Sequence, residues 1–214
     1  MAPQGHIALL GDSVFDNAAY TSGEPDVLAH LRTLLPSSWQ ATLLAEDGAT
    51  ISRLDDQLRH VPASTSHLIV SIGGNDALQN ADLLSLPVRS SAEALQACAT
   101  RLVAFERAYR RALTRVMALE RWTAVCTIYN GALPPEQAAA ARMGVALFDD
   151  VILRTATDLR ADVLELRCVC TAAADYANPI EPSGRGGLKI ARGIAAMLGV
   201  QPSPQEPARL WGAS

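Results

Sequence analysis

The stretch Ile7-Ala8-Leu9-Leu10-Gly11-Asp12-Ser13 joins a short, continuous apolar run to a glycine and two polar residues. Such a run is typical of a strand that is buried on both faces of a parallel sheet. A serine that follows the first strand and precedes a helix lies where a nucleophile can meet backbone N–H donors. Ser13 is therefore the candidate nucleophile of this chain.

Further apolar runs alternate with helical stretches along the sequence. Strands are predicted at His6–Leu10, Ala41–Ala45, His67–Ile72, Thr123–Ile128 and Val163–Val169, and helices at Glu24–Leu35, Ser52–His60, Ser91–Arg121, Pro135–Leu159 and Gly186–Leu198. This alternation favours right-handed βαβ units and a parallel sheet covered on both faces. The predicted fold class is α/β with five parallel strands. One apolar face is predicted for the longest helix, on Leu95, Cys98, Leu102, Phe105, Tyr109, Leu113 and Val116.

Length and composition favour one domain. The chain has 214 residues, of which 49% are hydrophobic, which is enough to build one sizeable core. We expect the domain to span residues 1–200 and a proline-rich tail to span residues 201–214. The tail is predicted either to lie extended on the surface or to fray.

Charge and hydropathy indicate which partners and which location to expect. The net charge is −4, and no basic stripe or basic patch with interleaved aromatics is present, so no nucleic-acid partner is expected. No stretch approaches the ~20 apolar residues of a membrane span. The first residues lack the features of a secretory signal, so a cytoplasmic protein is predicted, although a chain whose signal had been removed would look the same. The oligomeric state is left open.

The four cysteines indicate neither a metal site nor a redox site. Cys168 and Cys170 lie two apart in an apolar run, which on a strand would place both on one face. A metal or redox site would need a C-x-x-C pair or a partnering histidine, and neither accompanies them. We expect buried, reduced thiols, no metal and no cofactor.

Polar residues follow three of the predicted strands at the same edge of the sheet. The first strand runs into Gly11-Asp12-Ser13, the second into Glu46-Asp47-Gly48, and the third into Gly73-Gly74-Asn75-Asp76. Ligands of open parallel α/β sheets bind beyond the carboxyl ends of the strands. Each stretch alone is also ordinary capping or turn chemistry. Their occurrence together favours an active site.

These residues can support acyl transfer. Attack of the Ser13 hydroxyl on a carbonyl carbon creates an oxyanion, which preorganised donors must stabilise. Three donors are available in the sequence: the Ser13 N–H, the Gly48 N–H and the Asn75 side-chain amide. A glycine at position 48 would let the backbone approach a ligand without a Cβ.

The three blocks resemble those of the SGNH (GDSL-type) hydrolases, a family named for serine, glycine, asparagine and histidine in four separated blocks. The resemblance extends from about His6 to Leu198 and implies a flavodoxin-like α/β/α sandwich. It implies Ser13 as the nucleophile and Asn75 as an oxyanion donor, with Gly48 in the second block. The implied activity is hydrolysis of a small-molecule ester. Supporting roles are expected for Asp12, Asp76 and Asn178.

The fourth block departs from the family pattern. The family has aspartate, two residues and then histidine, whereas this chain has Asn178-Pro-Ile-Glu181-Pro182-Ser183. Glu181 thus stands where the base would be. The four histidines cannot replace it, since His6 and His67 begin their strands, His60 leads to the same far edge, and His30 lies within a helix.

Three hypotheses follow from this departure. In the first, Ser13 and Glu181 form a catalytic pair, although the reference pKa of glutamate is ~2 units below that of histidine. In the second, the chain is a pseudo-hydrolase that keeps the pocket and binds an ester, a carbohydrate ligand or a partner. In the third, the chain is a structural α/β domain in which Glu181 forms a salt bridge with Arg185.

Overall fold

The computed structural model describes residues 5–201, and a parallel sheet of five strands forms its centre. The strands are β1 (His6–Gly11), β2 (Gln40–Leu43), β3 (His67–Ser71), β4 (Trp122–Cys126) and β5 (Asp162–Leu164). Their order is β2-β1-β3-β4-β5, and every neighbouring pair is parallel. This order is flavodoxin-like, and it places a crevice outside the carboxyl ends of β1 and β3.

Helices cover both faces of the sheet. They are α1 (Val27–Leu34), α2 (Leu54–Leu58), α3 (Gly74–Leu78), α4 (Ser91–Met117), α5 (Pro135–Leu159), α6 (Leu166–Val169) and α7 (Gly184–Met197). Ile7 and Leu9 of β1 pack with α1 and α7, whereas Ala8 and Leu10 pack with α2, α4 and α5. Successive side chains of a strand point to opposite faces, so one apolar strand supplies both cores. The predicted three-layer α/β/α sandwich is confirmed.

The fifth predicted strand is wrong beyond Leu164. The chain turns there into α6, because the Glu165 side chain accepts a hydrogen bond from the Arg167 N–H and the Thr127 hydroxyl accepts one from the Leu166 N–H. Cys168 is therefore exposed while Cys170 is buried, and the two do not share a strand face. All four cysteines are free thiols.

The apolar face predicted for α4 is buried only in the second half of the helix. Phe105, Tyr109, Leu113 and Val116 belong to the core. Leu95, in the first half, is 64% exposed. The stretch Gly73-Gly74-Asn75-Asp76 follows β3, as predicted, and it opens the short helix α3.

Within residues 5–201, no helix combines the length and the apolar content needed to cross a membrane. The predicted tail lies outside the described residues from position 202 onward.

Candidate active site

The candidate nucleophile follows β1 at the crevice between β1 and β3. Gly11 has a φ of +126°, and a Cβ there would overlap the Ser71 carbonyl oxygen. The close approach lets the Asp12 N–H donate to Ser71 O at 3.0 Å. The buried Gln57 amide also binds Gly11, since it accepts from its N–H at 2.7 Å and donates to its carbonyl at 2.8 Å. Glycine is thus required at the turn that holds Ser13.

Asp12 is buried next to the nucleophile. Its Oδ1 accepts a hydrogen bond from the Val14 N–H at 3.1 Å, which helps to shape the turn. Burial, followed by repulsion from the carboxylates of Glu181 and Asp76, raises the pKa of Asp12 to about 7. The Val14 N–H opposes this rise. Asp12 thus helps to shape the turn that holds Ser13, and its supporting role in catalysis stays a prediction.

The loop after β2 carries Gly48 and is tied to the Ser13 turn. The Asp47 N–H donates to Asp16 Oδ2 at 2.9 Å, and the Tyr20 hydroxyl donates to Asp47 Oδ2 at 2.7 Å. Gly48 has a φ of +74°, while no atom of residues 5–201 outside its chain neighbours lies within 4 Å of the position that a Cβ would take. Backbone conformation, and not crowding by the protein, therefore explains this glycine.

Asn75 and Asp76 hold the same loop from α3. The Asn75 Nδ2 donates to Ala49 O at 2.9 Å, which leaves its second N–H available. The Asp76 carboxylate accepts from the Ile51 N–H at 3.0 Å. Burial raises the pKa of Asp76, and its bond from Ile51 opposes the rise.

Two backbone donors at this edge have no internal partner. Among the hydrogen bonds of residues 5–201, neither the Ser13 N–H nor the Gly48 N–H has an acceptor. Ser13 itself is only 7% exposed. Both donors, together with the Asn75 amide, are therefore available to an oxygen atom of a ligand.

The Glu181 side chain is buried beside Ser13. Burial removes the carboxylate from water and raises its pKa, while the neighbouring Ser13 hydroxyl lowers it and the charge of Asp47 adds to the rise. Glu181 Oε2 is enclosed without a hydrogen-bond partner among the described residues. The two side chains are thus adjacent, and the carboxylate keeps an unused acceptor site.

The loop that holds Glu181 is fixed by its backbone. Asn178 Oδ1 accepts hydrogen bonds from the N–H groups of Ile180 and Glu181, both at 2.9 Å. The Tyr129 hydroxyl donates to Ile180 O at 2.6 Å. Asn178 therefore shapes the Glu181 turn through an Asx-type contact with the backbone.

The salt bridge between Arg185 and Glu181 that the third hypothesis requires is not formed among the described residues. The Arg185 guanidinium lies 3.6 Å from Asp175 Oδ1, and the Lys189 ammonium lies 2.6 Å from Asp175 Oδ2. Burial would raise the pKa of Asp175, but Lys189 and the Ala172 N–H hold it below its ordinary value. The buried Asp175 carboxylate thus contacts both cations of the first turns of α7, and neither is paired with the Glu181 carboxylate.

None of the hydrogen bonds of the four histidines, all of which lie within residues 5–201, reaches Ser13 or Glu181. His6 contacts Ser64 and Thr42 at the start of β1, and His67 packs against Trp39 and Trp122. His60 bonds to Asp56 O, and His30 lies 3.0 Å from Gly184 O.

Sequence reasoning missed four residues that hold this site: Gln57, Asp16, Tyr129 and Asp175. Each acts through the backbone or through a residue distant in sequence, so no local motif marks it. Tyr129 alone carries a signal, since the hydroxyl of a buried tyrosine usually finds a hydrogen-bond partner.

A cavity of about 550 Å³ opens at Ser13. One end is lined by Ser13, Asn75 and Glu181, and the remainder passes between α3, α4 and α5. Its volume falls within the range of roughly 300–1,000 Å³ that is common for small-molecule sites.

Solved structures share this fold over nearly the whole chain. A phospholipase A1 from Streptomyces albidoflavus has a TM-score of 0.68 at 17% identity, covering 91% of this chain and 99% of its own. An acetyl xylan esterase from Geobacillus stearothermophilus has a TM-score of 0.70 at 16% identity, covering 96% and 100%. An alpha/beta hydrolase enzyme from the metagenome of Lake Arreo, Spain, has a TM-score of 0.69 at 18% identity, covering 95% and 99%. No family model matches the sequence, and no curated protein sequence matches it.

Proposed function

We propose that this chain is an SGNH-type hydrolase that cleaves a carboxylic ester through an acyl-enzyme on Ser13, with Glu181 as its base. The observation that carries the proposal is the carboxylate of Glu181, which is buried beside the Ser13 hydroxyl and forms no ion pair within residues 5–201. The esterase and lipase names of the structural neighbours support the same class of reaction.

The first half-reaction forms the acyl-enzyme. Glu181 takes the proton of the Ser13 hydroxyl while Oγ forms a bond to the carbonyl carbon, and the carbonyl oxygen becomes an oxyanion. The intermediate then collapses, the bond to the alcohol oxygen breaks, and protonated Glu181 returns the proton to that oxygen. The neutral alcohol departs and the acyl group remains on Ser13.

The second half-reaction reverses these roles with water. Glu181 takes a proton from a water molecule, and the oxygen of that water attacks the carbonyl carbon of the acyl-enzyme. Collapse of the second intermediate releases the carboxylic acid, and Ser13 Oγ regains a proton from Glu181. The oxyanion of both steps would accept from the Ser13 and Gly48 N–H groups and from the Asn75 amide.

The second candidate is the pseudo-hydrolase. It is favoured by the missing hydrogen-bond partner of Glu181 Oε2, because a buried acceptor of this kind is also what a site that only binds a ligand would offer to a donor group of that ligand. The free donors of Ser13 and Gly48 favour the hydrolase instead, since a binding protein has no need of an oxyanion site.

Covalent labelling and hydrolysis together test the two candidates. We expect the purified chain to hydrolyse p-nitrophenyl acetate between about pH 4 and about pH 9 and to be labelled on Ser13 by a fluorophosphonate. Ser13→Ala should lose both signals. Glu181→Gln should lower kcat/KM by roughly 100-fold to 10,000-fold, the range of a general base.

The control for charge removal is Glu120→Gln, at an exposed position just before β4 and hence at the opposite edge of the sheet. It should leave kcat/KM unchanged. If no serine-dependent hydrolysis or labelling occurs at any pH in this range, the hydrolase proposal is wrong and the pseudo-hydrolase remains.

A further inference from the structure

We propose that the cavity beside Ser13 receives the acyl part of the substrate, and that this acyl part is an apolar chain clearly longer than acetyl. The inference rests on the proposed function, because it assumes that Ser13 accepts an acyl group. It specifies the class of substrate that the site would take.

The walls of the cavity beyond the polar end are largely apolar. They include Leu84 from the short helical turn Ala81–Ser85, Leu102 from α4, and Gly144 and Phe148 from α5. An acetyl group would fill a small part of the about 550 Å³ available. A chain of several methylenes would instead be transferred from water into the cavity along its whole length, and the burial of this apolar surface is favourable.

Two wall residues are left open to solvent in the free protein. Leu84 is 56% exposed and Leu78 is 48% exposed, and both line the cavity. Scattered exposed leucines need no explanation, but apolar side chains exposed inside a concave site mark a ligand groove. A bound chain would cover both side chains.

The position of the catalytic groups assigns the cavity to the acyl part and not to the alcohol. The alcohol must depart before water can attack the acyl-enzyme, whereas the acyl chain stays through both half-reactions. Gly48 and the carboxylates of Glu46 and Asp47 do not line the cavity, and they lie at a separate side of the site that is exposed to solvent. That polar, open side suits a departing alcohol, and the side walled by α4 and α5 suits a retained chain.

Small residues of α5 keep the cavity open. A Cβ on Gly144 would meet only Leu84, at 3.8 Å, so a side chain there extends into the cavity without striking the backbone. Gly144→Leu should therefore occupy space that the acyl chain needs. Ala139 lies on the same helix, is exposed and does not line the cavity, which makes Ala139→Leu the matched control.

The first experiment compares chain length on each side of the ester. Each buried methylene should raise kcat/KM by roughly fourfold until the cavity is full, so p-nitrophenyl octanoate should exceed p-nitrophenyl acetate by at least about 50-fold. Octyl acetate should show no comparable gain over ethyl acetate. Gly144→Leu should reduce the octanoyl-to-acetyl ratio by about tenfold or more, and Ala139→Leu should not change it. A preference that follows the alcohol series, or a ratio that Gly144→Leu leaves intact, would overturn the inference.

The second experiment separates this inference from the proposed function. Ethyl octanoate is titrated calorimetrically into Ser13→Ala protein, which cannot form an acyl-enzyme. Binding that Gly144→Leu weakens at least about tenfold in the same background supports the cavity assignment even if the wild-type chain hydrolyses nothing. If the wild type hydrolyses esters without any chain-length preference, and calorimetry detects no binding, the hydrolase proposal is supported and the assignment of the cavity to the acyl chain is wrong.

Discussion

At the scale of single residues, the decisive pair is the Ser13 hydroxyl and the Glu181 carboxylate. Glutamate is the weaker base, since its reference pKa lies ~2 units below that of histidine, a difference of roughly 3 kcal/mol. Burial raises the pKa of Glu181 and so recovers part of this basicity. Arg185 and Lys189 would have cancelled the effect, but both contact Asp175 instead.

The pH dependence of activity should report this pKa. Only ionised Glu181 accepts a proton, so kcat/KM should fall as the pH falls through a pKa above the ordinary glutamate value. The charge of Asp47 contributes to that raised pKa. Asp47→Asn should therefore move the acidic limb of the profile to lower pH by about a few tenths of a unit, because the charge is exposed and screened.

Salt and a neighbouring substitution check this assignment. In about 1 M NaCl the profiles of the wild type and Asp47→Asn should coincide, since screening removes the contribution of Asp47. Glu46→Gln removes a carboxylate one residue away that is paired with Arg53, and it should not move the limb. A limb that stays in place in Asp47→Asn at low salt contradicts the assignment of this charge.

At the scale of elements, the loop before α7 depends on Asn178. Asn178→Ala removes the acceptor of two backbone N–H groups, which should cost about 1–2 kcal/mol of stability and lower kcat roughly tenfold at unchanged KM, since Glu181 loses its fixed position. Asn178→Asp keeps the acceptor and should restore most of kcat at about pH 8. Equal losses in both variants would show that Asn178 acts in another way.

The junction of β1 with β3 depends on Gly11. Gly11→Ala would strain a φ of +126° and force its Cβ onto the Ser71 carbonyl, so we expect a loss of about 3 kcal/mol or more in urea unfolding. Gly23→Ala is the matched control, because Gly23 has a φ of +89° with nothing within 4 Å of a Cβ. It should cost only about 1 kcal/mol. Similar losses at both positions would mean that the contact with Ser71 is unimportant.

At the scale of the whole molecule, buried carboxyl groups should make stability depend on pH. Burial raises the pKa of Asp149 to about 7 although Arg167 opposes the rise. The unfolded chain releases this proton at lower pH than the folded chain, so this group lowers stability as the pH rises from about 4 to about 7, by up to about 1.4 kcal/mol per unit.

Asp149→Asn tests this contribution. The amide can still accept from the Ile128 N–H, while the buried charge is gone. The stability of Asp149→Asn relative to the wild type should increase from pH 5 to pH 8, as measured by urea unfolding at about 25 °C. Asp150→Asn, which removes an exposed carboxylate from an ion pair with Arg154, should show no such trend. A constant difference for Asp149→Asn would contradict the raised pKa.

The sheet could be predicted from the sequence because each buried parallel strand is a short, continuous run of apolar residues. The starts of β1 and β3 and both ends of α5 lie where these runs and the helical pattern place them. The errors occur where a distant residue decides the local conformation. Thr127 follows the neighbouring strand β4, and its hydroxyl accepts a hydrogen bond from the Leu166 N–H just after β5 ends. Helix α3 forms directly after Gly73, where the Asn75 side chain contacts the loop that carries Gly48.

The sequence by itself determined the α/β fold and brought Ser13, Gly48 and Asn75 to one edge of the sheet, because short-range hydrophobic patterns and turn residues carry that information. The candidate role of Glu181 came from the resemblance of its block to that of the SGNH hydrolases. The tertiary structure alone decided which groups face Glu181. Asp175 holds Arg185 and Lys189 away from Glu181, Tyr129 holds its loop, and the packing of α4 against α5 forms the neighbouring cavity. These contacts join residues far apart in the chain, and no local pattern encodes their distances.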